Sequence, residues 1–444
     1  MSPFRGFLAL LAAVLVVTAG LVLTSAPPAG SQGADVFLNV MRSGAQRLNI
    51  FVPEFAVTGA AADPTLGRRL SEVAGKDLTF SALFNVVAGA PAPPPGDAEA
   101  LRKAWADAAA AGAHAALHTV VRAGADRAEA EMRLYDLTSP EQRQIATKTF
   151  AVPPAESRRL AHRIADEVVL QFTGEAGIAD TKIAFITPQR GVRELQLMDY
   201  DGVGVAALTA NQSINMSPAW SPDTRSLAFT SFMRGYPYLY RMFPFERRPV
   251  QLLAGHLGIN SSPAWSPDGR SVALTLSKDG NPEVYVLNVA AGTFRRVTTH
   301  PGIDTEPSWS PTGREIAFVS DRSGAAQVYV MDAEGTNVRR ITQGGFNTQP
   351  RWSPKGDAIV YTSRQGNHDL WAVGPDGSGA RRLTAGPGDN ESASWSPNGR
   401  HLVFQSTRGR GIGLFTMLAD GSEQHAVPRG PGDAASPAWS PRLP

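Results

Sequence analysis

The stretch Trp265-Ser266-Pro267-Asp268-Gly269 belongs to a motif that recurs through the second half of the chain. Its core, Trp-Ser-Pro, occurs six times, beginning at Trp220, Trp265, Trp309, Trp352, Trp395 and Trp439. The motifs are 43 to 45 residues apart. A repeat of this length, with no helical pattern inside it, is typical of a β-propeller, in which each period forms one four-stranded blade.

Each period has the same order of parts. The Trp is followed by a turn of Ser-Pro-Asp-Gly type, in which Pro presets φ and Gly suits the last position of a type I turn. A short apolar run follows, as at residues 272–274, and is typical of a strand buried on both faces. The third strand ends in an acidic-Gly or Ala-Gly turn. The fourth strand is more polar and often basic, which suits an outer edge where charge discourages edge pairing.

The count of parts predicts how the ring closes. There are six apolar second strands, the first at Ile183, and six Trp-Ser-Pro strands, the last at Trp439, but the two series are offset by one. Pairing the Trp439 strand with the Ile183 strand satisfies both series and leaves no sheet open at the join. The sequence therefore predicts an all-β, six-bladed propeller over residues 180–444, closed by the C-terminal Trp-Ser-Pro strand.

The first 33 residues have the pattern of an export signal. Arg5 supplies a positive charge, residues 7–23 are apolar, and residues 25–33 are small and include Pro. This pattern predicts a cleaved signal peptide over residues 1–33, with a retained membrane anchor as the alternative. The apolar run is not followed by a Cys, which argues against a lipoprotein signal, and the whole chain contains none.

Composition is typical of a soluble globular protein. Hydrophobic residues make up 43% and charged residues 18% of the 444, and the formal net charge is +2. A nucleic-acid-binding protein would be expected to have a more basic surface. The exported chain is long enough to bury a core without disulfides.

Residues 34–175 lack the repeat and predict a separate N-terminal α/β domain. Alternating or apolar runs favour strands, Asp97 favours a helix start, and Gly112 favours a helix end. The predicted strands are 36–40, 48–52, 114–122, 129–136 and 143–151, the predicted helices are 63–73, 97–111 and 156–172, and residues 90–96 form a Pro-rich loop. The expected fold class is thus an N-terminal α/β domain followed by the propeller.

The sequence nominates no catalytic residue, metal ligand or cofactor. His114 and His118 share a face, but no Glu stands in HExxH order beside them, so a structural role is favoured. Asp199-Tyr200-Asp201-Gly202 resembles the start of a calcium loop, yet the downstream ligands are missing and a hairpin turn is favoured. Neither a Gly-x-Ser-x-Gly elbow nor a P-loop is present.

The segments just before each Trp are the candidate recognition surface. They are expected to project from one end of the ring near its channel. Asn, Asp and Pro in these segments are explained by turn chemistry, but the pair between them varies and is mostly polar. The resulting candidate binding residues are Met216, Ser217, Ser262, Thr305, Glu306, Thr348 and Gln349.

The complete layout resembles the TolB family. An export signal, an α/β domain of about 140 residues and six repeats of PAWSPDG type stand in that order. More specific matches are Met198-Asp199-Tyr200-Asp201-Gly202, Met216-Ser217-Pro218-Ala219-Trp220-Ser221-Pro222-Asp223, Thr305-Glu306-Pro307 and Pro437-Ala438-Trp439-Ser440-Pro441.

The resemblance implies a non-enzymatic periplasmic component of the Tol-Pal system, without cofactor or metal. It implies that the propeller mouth binds the lipoprotein Pal, with Ser262, Thr305 and Glu306 at matching positions. It also implies that residues 35–46 bind the inner-membrane protein TolA, through Asp35, Val36, Leu38, Val40, Ser43 and Gly44. Other outer-membrane lipoproteins are further candidate partners, nucleic acid is not, and membranes are reached only through partners.

The sequence departs from the family pattern at two places. Ile259 stands where some members carry a rim His, and Phe37, Met41 and Arg42 differ in character from the usual TolA-binding segment. The second departure affects the expected TolA contact more than the Pal contact.

Two other classes remain as alternatives, an exported propeller that binds glycan or peptide and the remnant of a peptidase propeller. A peptidase is expected to add a hydrolase domain with a nucleophile elbow, whereas this chain ends three residues after its last Trp-Ser-Pro. Glycan sites usually need aromatic platforms, and the candidate residues before each Trp include no Trp, Tyr or Phe.

Overall fold

A computed structural model describes residues 47–59, 63–87, 93, 96–189, 191–428 and 432–444. The predicted signal peptide, the predicted strand at residues 36–40 and most of the loop at 90–96 lie outside the described residues. Within the described ranges, no helix has both the length and the apolar character needed to cross a membrane.

The N-terminal region is an α/β sandwich built on one mixed sheet. The sheet has the order β3-β1-β4-β5-β6, with β2 beside β4. β1 is parallel to β3 and β4, whereas β4, β5 and β6 form an antiparallel meander. The elements are β1 (Leu48–Phe51), β2 (Ala56–Thr58), α1 (Leu66–Phe80), β3 (Phe84–Val87), α2 (Ala98–Ala110), β4 (Ala115–Ala123), β5 (Ala128–Asp136), β6 (Gln144–Val152), a 3-10 turn (Pro154–Glu156) and α3 (Arg158–Thr173).

Helices cover both faces of this sheet. α1 and α3 bury Leu78 and Ile164 in the larger core, together with Leu117 of β4. On the other face α2 buries Trp105 against Phe51 of β1. Because successive residues of a strand point to opposite faces, β1 and β4 contribute to both cores.

Three details differ from the sequence prediction. Helix α1 begins at Leu66 with Thr65 as its N-cap residue, not at Asp63. The Asp63 carboxylate instead accepts the backbone N–H of Thr65 at 2.8 Å, so it stabilises the turn before the helix. The short strands β2 and β3 were not predicted, because they depend on parallel pairing with distant strands and not on their local pattern.

The repeats form six four-stranded antiparallel sheets. Blade 1 contains β7 (Lys182–Gln189), β8 (Val192–Asp199) and β9 (Ala206–Ala207), with β30 (Ala435–Trp439) as its inner strand. Blade 2 is β10 (Asn215–Trp220), β11 (Leu227–Ser231), β12 (Tyr238–Met242) and β13 (Gln251–Ala254); blade 3 is β14 (Asn260–Trp265), β15 (Ser271–Leu276), β16 (Glu283–Asn288) and β17 (Thr293–Arg296). Blade 4 is β18 (Asp304–Trp309), β19 (Glu315–Ser320), β20 (Gln327–Asp332) and β21 (Arg339–Arg340); blade 5 is β22 (Phe346–Trp352), β23 (Ile359–Arg364), β24 (His368–Val373) and β25 (Arg381–Arg382); blade 6 is β26 (Asn390–Trp395), β27 (His401–Gly409), β28 (Gly411–Leu418) and β29 (His425–Ala426).

The fold class predicted from the sequence is confirmed: an N-terminal α/β region precedes a six-bladed β-propeller. In blade 1 the C-terminal strand β30 pairs antiparallel with β7, and Trp439 lies opposite Ile183. The first and last parts of the propeller therefore share one sheet.

In the five blades where a hairpin follows the Trp-Ser-Pro motif, the turn holds that hairpin closed. In blade 3 the Ser266 hydroxyl donates to Asp268 at 2.6 Å and accepts the backbone N–H of Ser271 at 2.9 Å. The Gly269 N–H donates to the Ser266 carbonyl oxygen at 2.9 Å, and Gly269 has a φ of +69°. A left-handed φ at this position is what favours Gly at the end of the motif.

The Trp residues connect neighbouring blades. The indole N–H of Trp265 donates to the carbonyl oxygen of Ala219, the residue before the Trp of the preceding blade, at 3.2 Å. Equivalent bonds join Trp220 to Ala438, Trp309 to Ala264 and Trp395 to Arg351. Inner strands that are not paired in one sheet are therefore linked directly around the channel.

The two remaining links use a serine hydroxyl. Where the residue before the Trp is Ser308 or Ser394, its hydroxyl accepts the backbone N–H of the next Trp, Trp352 or Trp439, each at 3.0 Å. Where the residue before the Trp is Ser, the link thus uses the backbone N–H of the next Trp, and where it is Ala or Arg the link uses the indole N–H.

The N-terminal domain packs on the propeller through a partly polar contact. Phe80 of α1 stacks on His401 of β27 with ring centroids 4.8 Å apart, and the His401 Nε2 lies 3.1 Å from the Phe80 carbonyl oxygen. Nearby, the Tyr200 hydroxyl donates to the Asp77 carboxylate at 2.6 Å, and His162 Nδ1 lies 2.7 Å from the same carboxylate. The two domains are therefore joined by buried side chains.

Deletion of residues 435–444 tests the closure of the ring. It removes β30 and Trp439, so blade 1 keeps three strands and we expect a large fall in the melting temperature measured by circular dichroism. Substitution Trp439→Ala alone is expected to cost about 3–5 kcal/mol, since the side chain is buried. Trp395→Ala, which removes no strand, is the control and should lower the melting temperature less than the deletion does. A truncated chain that melts like the full one would contradict the closure.

Acidification tests the buried state of His401. Burial lowers the pKa of His401 to about 4, against an ordinary value of 6.5. The unfolded chain takes up this proton first, so the His401 contribution to stability is lost as pH falls from about 6.5 towards 4. We expect His401→Phe to reduce the drop in unfolding free energy between pH 7 and pH 5 by about 2 kcal/mol. Urea unfolding of the wild type and the variant at both pH values measures this, and an equal drop in the two proteins would contradict it.

Candidate functional site

The six inner strands line the channel, and each contains an irregularity at the same place. In every inner strand the pairing register with the second strand shifts between the residues four and one before the Trp, as between Met216 and Ala219 in blade 2. At this bulge one residue per blade adopts a left-handed backbone, with φ between 47° and 55°: Ser217, Ser262, Glu306, Gln349, Ser392 and Ser436. A left-handed conformation costs a non-glycine residue about 1–3 kcal/mol, so a ring of six indicates a role for their side chains.

The side chains at the bulges hydrogen-bond from blade to blade. A Glu306 carboxylate oxygen accepts the backbone N–H of Gln349 at 2.7 Å. In turn the Gln349 side-chain oxygen accepts the backbone N–H of Ser392 at 2.9 Å. In blade 6, Gln405 accepts the N–H of Ser436 at 2.8 Å. Bulge and side chain together satisfy backbone donors that would otherwise face the channel unpaired.

Two opposite charges lie in this part of the channel wall. Burial raises the pKa of the Glu306 carboxyl, and the Gln349 N–H and the charge of Arg351 oppose that shift. Burial also lowers the pKa of the Arg351 guanidinium, and the negative charge of Glu306 opposes it. Arg351 also lines a cavity of about 390 Å³ at the end of the channel where the Trp-Ser-Pro turns lie, together with Trp220, Trp395 and Trp439.

The sequence-predicted binding residues lie in four consecutive inner strands, β10, β14, β18 and β22. They are all half-buried: Met216, Ser217, Ser262, Thr305, Glu306, Thr348 and Gln349. The expectation that the segments before each Trp project from one end of the ring is wrong, because these segments are part of the innermost strands. Their Pro residues are tolerated there since each follows the bulge, where ladder pairing is already interrupted.

The end of the ring at which the inner strands begin, here called the rim end, carries exposed apolar side chains that the sequence analysis did not select as a group. These side chains lie at three successive blade junctions and in the neighbouring loop of blade 2. Leu257 is the most exposed of them, at 77%. This set, called the apolar rim, consists of Tyr236, Leu257, Ile259, Ile303 and Phe346. A sequence signal existed: at the three junctions an apolar residue follows a Gly directly, just before the Asn or Asp of the inner strand.

Aromatic residues are present at the rim end, contrary to the argument used against a glycan site. Tyr236 is 54% exposed and its ring is stacked on Tyr238 with centroids 6.0 Å apart. Phe346 is exposed beside the Arg364 guanidinium, 5.1 Å from the ring centroid. These rings lie outside the segments before each Trp, which is why the sequence argument missed them.

The predicted TolA-binding residues Asp35, Val36, Leu38, Val40, Ser43 and Gly44 lie outside the described residues. The described chain begins next to a groove of about 750 Å³ between the two domains. Arg47 lines that groove and forms an ion pair with Glu423 of the propeller. Arg47 is the first residue that the structure describes, and it lies at the groove.

The candidate metal ligands have structural surroundings. His114 Nδ1 accepts the backbone N–H of Asn49 at 3.1 Å, and the buried His118 packs edge-on against Trp105. Asp199 starts the turn between β8 and β9 and pairs with Lys182. In the part of the chain that the structure describes, no three His, Asp or Glu side chains are grouped to hold a metal ion.

Gln349→Met tests the hydrogen-bonded ring of the channel wall. It removes the acceptor of the Ser392 N–H, and an unsatisfied buried donor costs about 1–3 kcal/mol. We expect that loss in unfolding free energy, whereas Gln365→Met, at an exposed loop position, should change it by less than about 0.5 kcal/mol. Equal effects of the two substitutions would contradict a structural role for the ring.

Comparison with known proteins identifies both parts of the chain. Residues 36–145 match the family described as the TolB amino-terminal domain, and residues 169–443 match the TolB beta propeller domain. The chain is 40% identical over 218 residues to the Tol-Pal system protein TolB of Geobacter sulfurreducens, which covers 47% of this chain and 48% of that protein. It is 35% identical over 233 residues to the protein of the same name from Cereibacter sphaeroides, covering 50% of each. The chain thus spans about half the length of the curated relatives it matches.

A solved structure extends the likeness to most of the chain. The crystal structure of TolB from Acinetobacter baumannii superposes with a TM-score of 0.76 at 27% identity, covering 89% of this chain and 97% of that one.

Proposed function

The chain belongs to the TolB family, and from this premise we propose that it is a non-enzymatic, protein-binding component of a Tol-Pal envelope system. In this proposal the protein is exported to the periplasm and links TolA of the inner membrane to Pal of the outer membrane. It thereby supports outer-membrane integrity and invagination during cell division.

The observation that carries the Pal contact is the apolar rim. An arc of exposed apolar side chains across three neighbouring blade junctions is typical of a surface that binds another protein. Leu257 is the most exposed of these side chains. Ile259 directly precedes the inner strand of blade 3, and Ile303 directly precedes the inner strand of blade 4. We assign this arc to the Pal-binding surface.

The polar side chains of the channel wall just inside the apolar rim, here called the polar ring, suit the same partner. Thr305 and Glu306 lie one and two residues inside the inner strand of blade 4, so a side chain entering the channel would meet them after the rim. Their half-buried position gives hydrogen bonds there more weight than on an open surface. In this proposal the apolar rim supplies most of the affinity for Pal, and the polar ring supplies the specificity.

The N-terminal segment couples the two partners in this proposal. Residues 35–46 directly precede Arg47, which lines the interdomain groove. In this proposal the segment either packs on the body of the protein or binds TolA by strand addition. If Pal binding favours one position of the segment, the affinities for the two partners are linked. Deletion of residues 35–46 is then expected to abolish TolA binding and to change the affinity for Pal.

Titration calorimetry against the periplasmic domain of Pal from the same organism tests the proposal. We expect saturable binding by the exported chain and at least a tenfold loss for Leu257→Asp, because a carboxylate would be desolvated at the centre of the apolar rim. Val205→Asp is the matched control: this valine is 46% exposed, but it lies in a turn at the opposite end of the ring. It should bind as the wild type does.

Two further variants measure the contribution of the polar ring to Pal binding separately from that of the apolar rim. Glu306→Lys is expected to weaken binding and also to lower stability, since it removes the acceptor of the Gln349 N–H. Thr305→Ala removes one hydroxyl and should weaken binding without a change in melting temperature. Absence of binding by folded wild-type protein, or equal losses for Leu257→Asp and Val205→Asp, would contradict the proposal.

A further inference from the structure

One of the six turns that join third to fourth strands breaks the rule of the repeat. Five of these turns contain Gly, at Gly202, Gly292, Gly335, Gly377 and Gly421. The turn of blade 2 has none and reads Phe243-Pro244-Phe245-Glu246-Arg247-Arg248-Pro249-Val250. A compact hairpin is replaced by a longer segment with two aromatic and two arginine side chains.

The strand after this turn is also unusual. β13 reads Gln251-Leu252-Leu253-Ala254 and is four residues long, as is β17 of blade 3. β17 carries two Arg residues, whereas β13 carries no charge, and Leu252 is 45% exposed. Exposed outer strands are usually protected by charge, so an uncharged strand with an exposed leucine indicates a surface that is covered in use.

The turn presents a fixed arrangement of rings and guanidinium groups. Phe245 is 49% exposed and lies flat on Trp220, with ring centroids 6.0 Å apart and an interplanar angle of 15°. Arg248 stands over the Phe243 ring at 3.8 Å and pairs with Glu246 at 3.3 Å. Because these groups are held by stacking, they lose little freedom when a ligand binds.

Positive charge at this patch exceeds negative charge. Arg225, Arg241, Arg247 and Arg248 are opposed by Glu246 and Asp223, and burial lowers the pKa of Arg241. Arg241 lies between the rings of Phe243 and Trp265, and its buried Nε atom has no hydrogen-bond partner. Arg247 is exposed, and within the described chain no acidic side chain pairs with it. Arg225 and Arg248 both pair with Glu246. Arg247 thus has its guanidinium available for a carboxylate, and Arg248 keeps N–H donors beyond its one bond to Glu246.

We propose that the blade 2 patch, formed by Phe245, Arg247, Arg248, Val250 and Leu252, is a second docking surface that binds an acidic protein segment carrying an aromatic or proline residue. The aromatic or proline residue would stack on the exposed face of Phe245, and neighbouring carboxylates would pair with Arg247 and Arg248. Val250 and Leu252 supply the apolar area beside them, and both are more than 40% exposed.

The geometry favours a protein segment over a membrane surface. Insertion into lipid needs apolar side chains that project from the body, whereas the Phe245 ring lies parallel to Trp220. Strand addition to β13 is also disfavoured, because its pairing with β12 is interrupted by a register shift between Leu239 and Tyr240. Recognition is therefore through side chains.

The patch is separate from the apolar rim. Met242, the residue before the turn, pairs with Leu227, which in turn pairs with Trp220 at the far end of the inner strand. The turn therefore lies at the end of the ring opposite to the apolar rim. A partner on the rim and a segment on the blade 2 patch can be bound at the same time.

The test uses the full exported chain and random 12-residue peptides displayed on phage as the probe. Selected peptides are expected to contain Asp or Glu beside an aromatic residue or Pro. Synthetic copies should bind saturably by fluorescence anisotropy, with affinity that falls as salt rises. Arg247→Glu and Phe245→Ser should each weaken binding at least fivefold, at unchanged melting temperature for Arg247→Glu.

The matched control is Arg340→Glu, which makes the same charge change on the exposed outer strand of blade 4. It should leave peptide affinity unchanged. Equal effects of Arg247→Glu and Arg340→Glu, selection of peptides without acidic residues, or no saturable binding would overturn the proposal. So would binding to phosphatidylglycerol vesicles with peptide affinity insensitive to Arg247→Glu, or a dimer in sedimentation velocity that Val250→Asp dissociates.

Discussion

The hydrogen bond between a Trp of one inner strand and the preceding inner strand is the interaction on which the ring depends. Neighbouring inner strands belong to different sheets, so backbone pairing does not hold them together. The Trp265 indole to Ala219 carbonyl bond at 3.2 Å, and the Trp352 N–H to Ser308 hydroxyl bond at 3.0 Å, are two solutions to the same requirement. Both link the blades at the end of the channel where the Trp-Ser-Pro turns lie, here called the Trp end. At this end the aromatic side chains also fill the space between sheets.

With the Trp end fixed, the other end of each inner strand is available for recognition. The bulge three residues before each Trp turns one polar side chain per blade along the channel wall, and Glu306 and Gln349 use that position to bind the next blade. The structural links and the residues proposed for recognition are thus neighbours in the same strand. A preformed channel mouth loses little entropy on binding, which suits a folded partner.

The repeat period allowed much of this fold to be predicted from the sequence, including six blades and the strand order that joins β30 to β7. Buried second strands were evident because their apolar runs are bounded by turn residues. The bulge was not evident, because Ser, Glu and Gln do not indicate a left-handed backbone in a sequence, whereas Gly does. Leu257 and Ile303 were missed because each is a single apolar residue in a loop. They form a continuous apolar surface only when folding places successive blade junctions side by side.

The central claim is that Pal binds the rim end of the ring, and hydrogen–deuterium exchange of the chain with and without the Pal periplasmic domain tests it most directly. The account predicts slower exchange in complex at residues 255–259, 299–303 and 343–346, with the turns at 243–250 and 266–270 unchanged. Protection of those turns, with the three rim junctions unchanged, would contradict it.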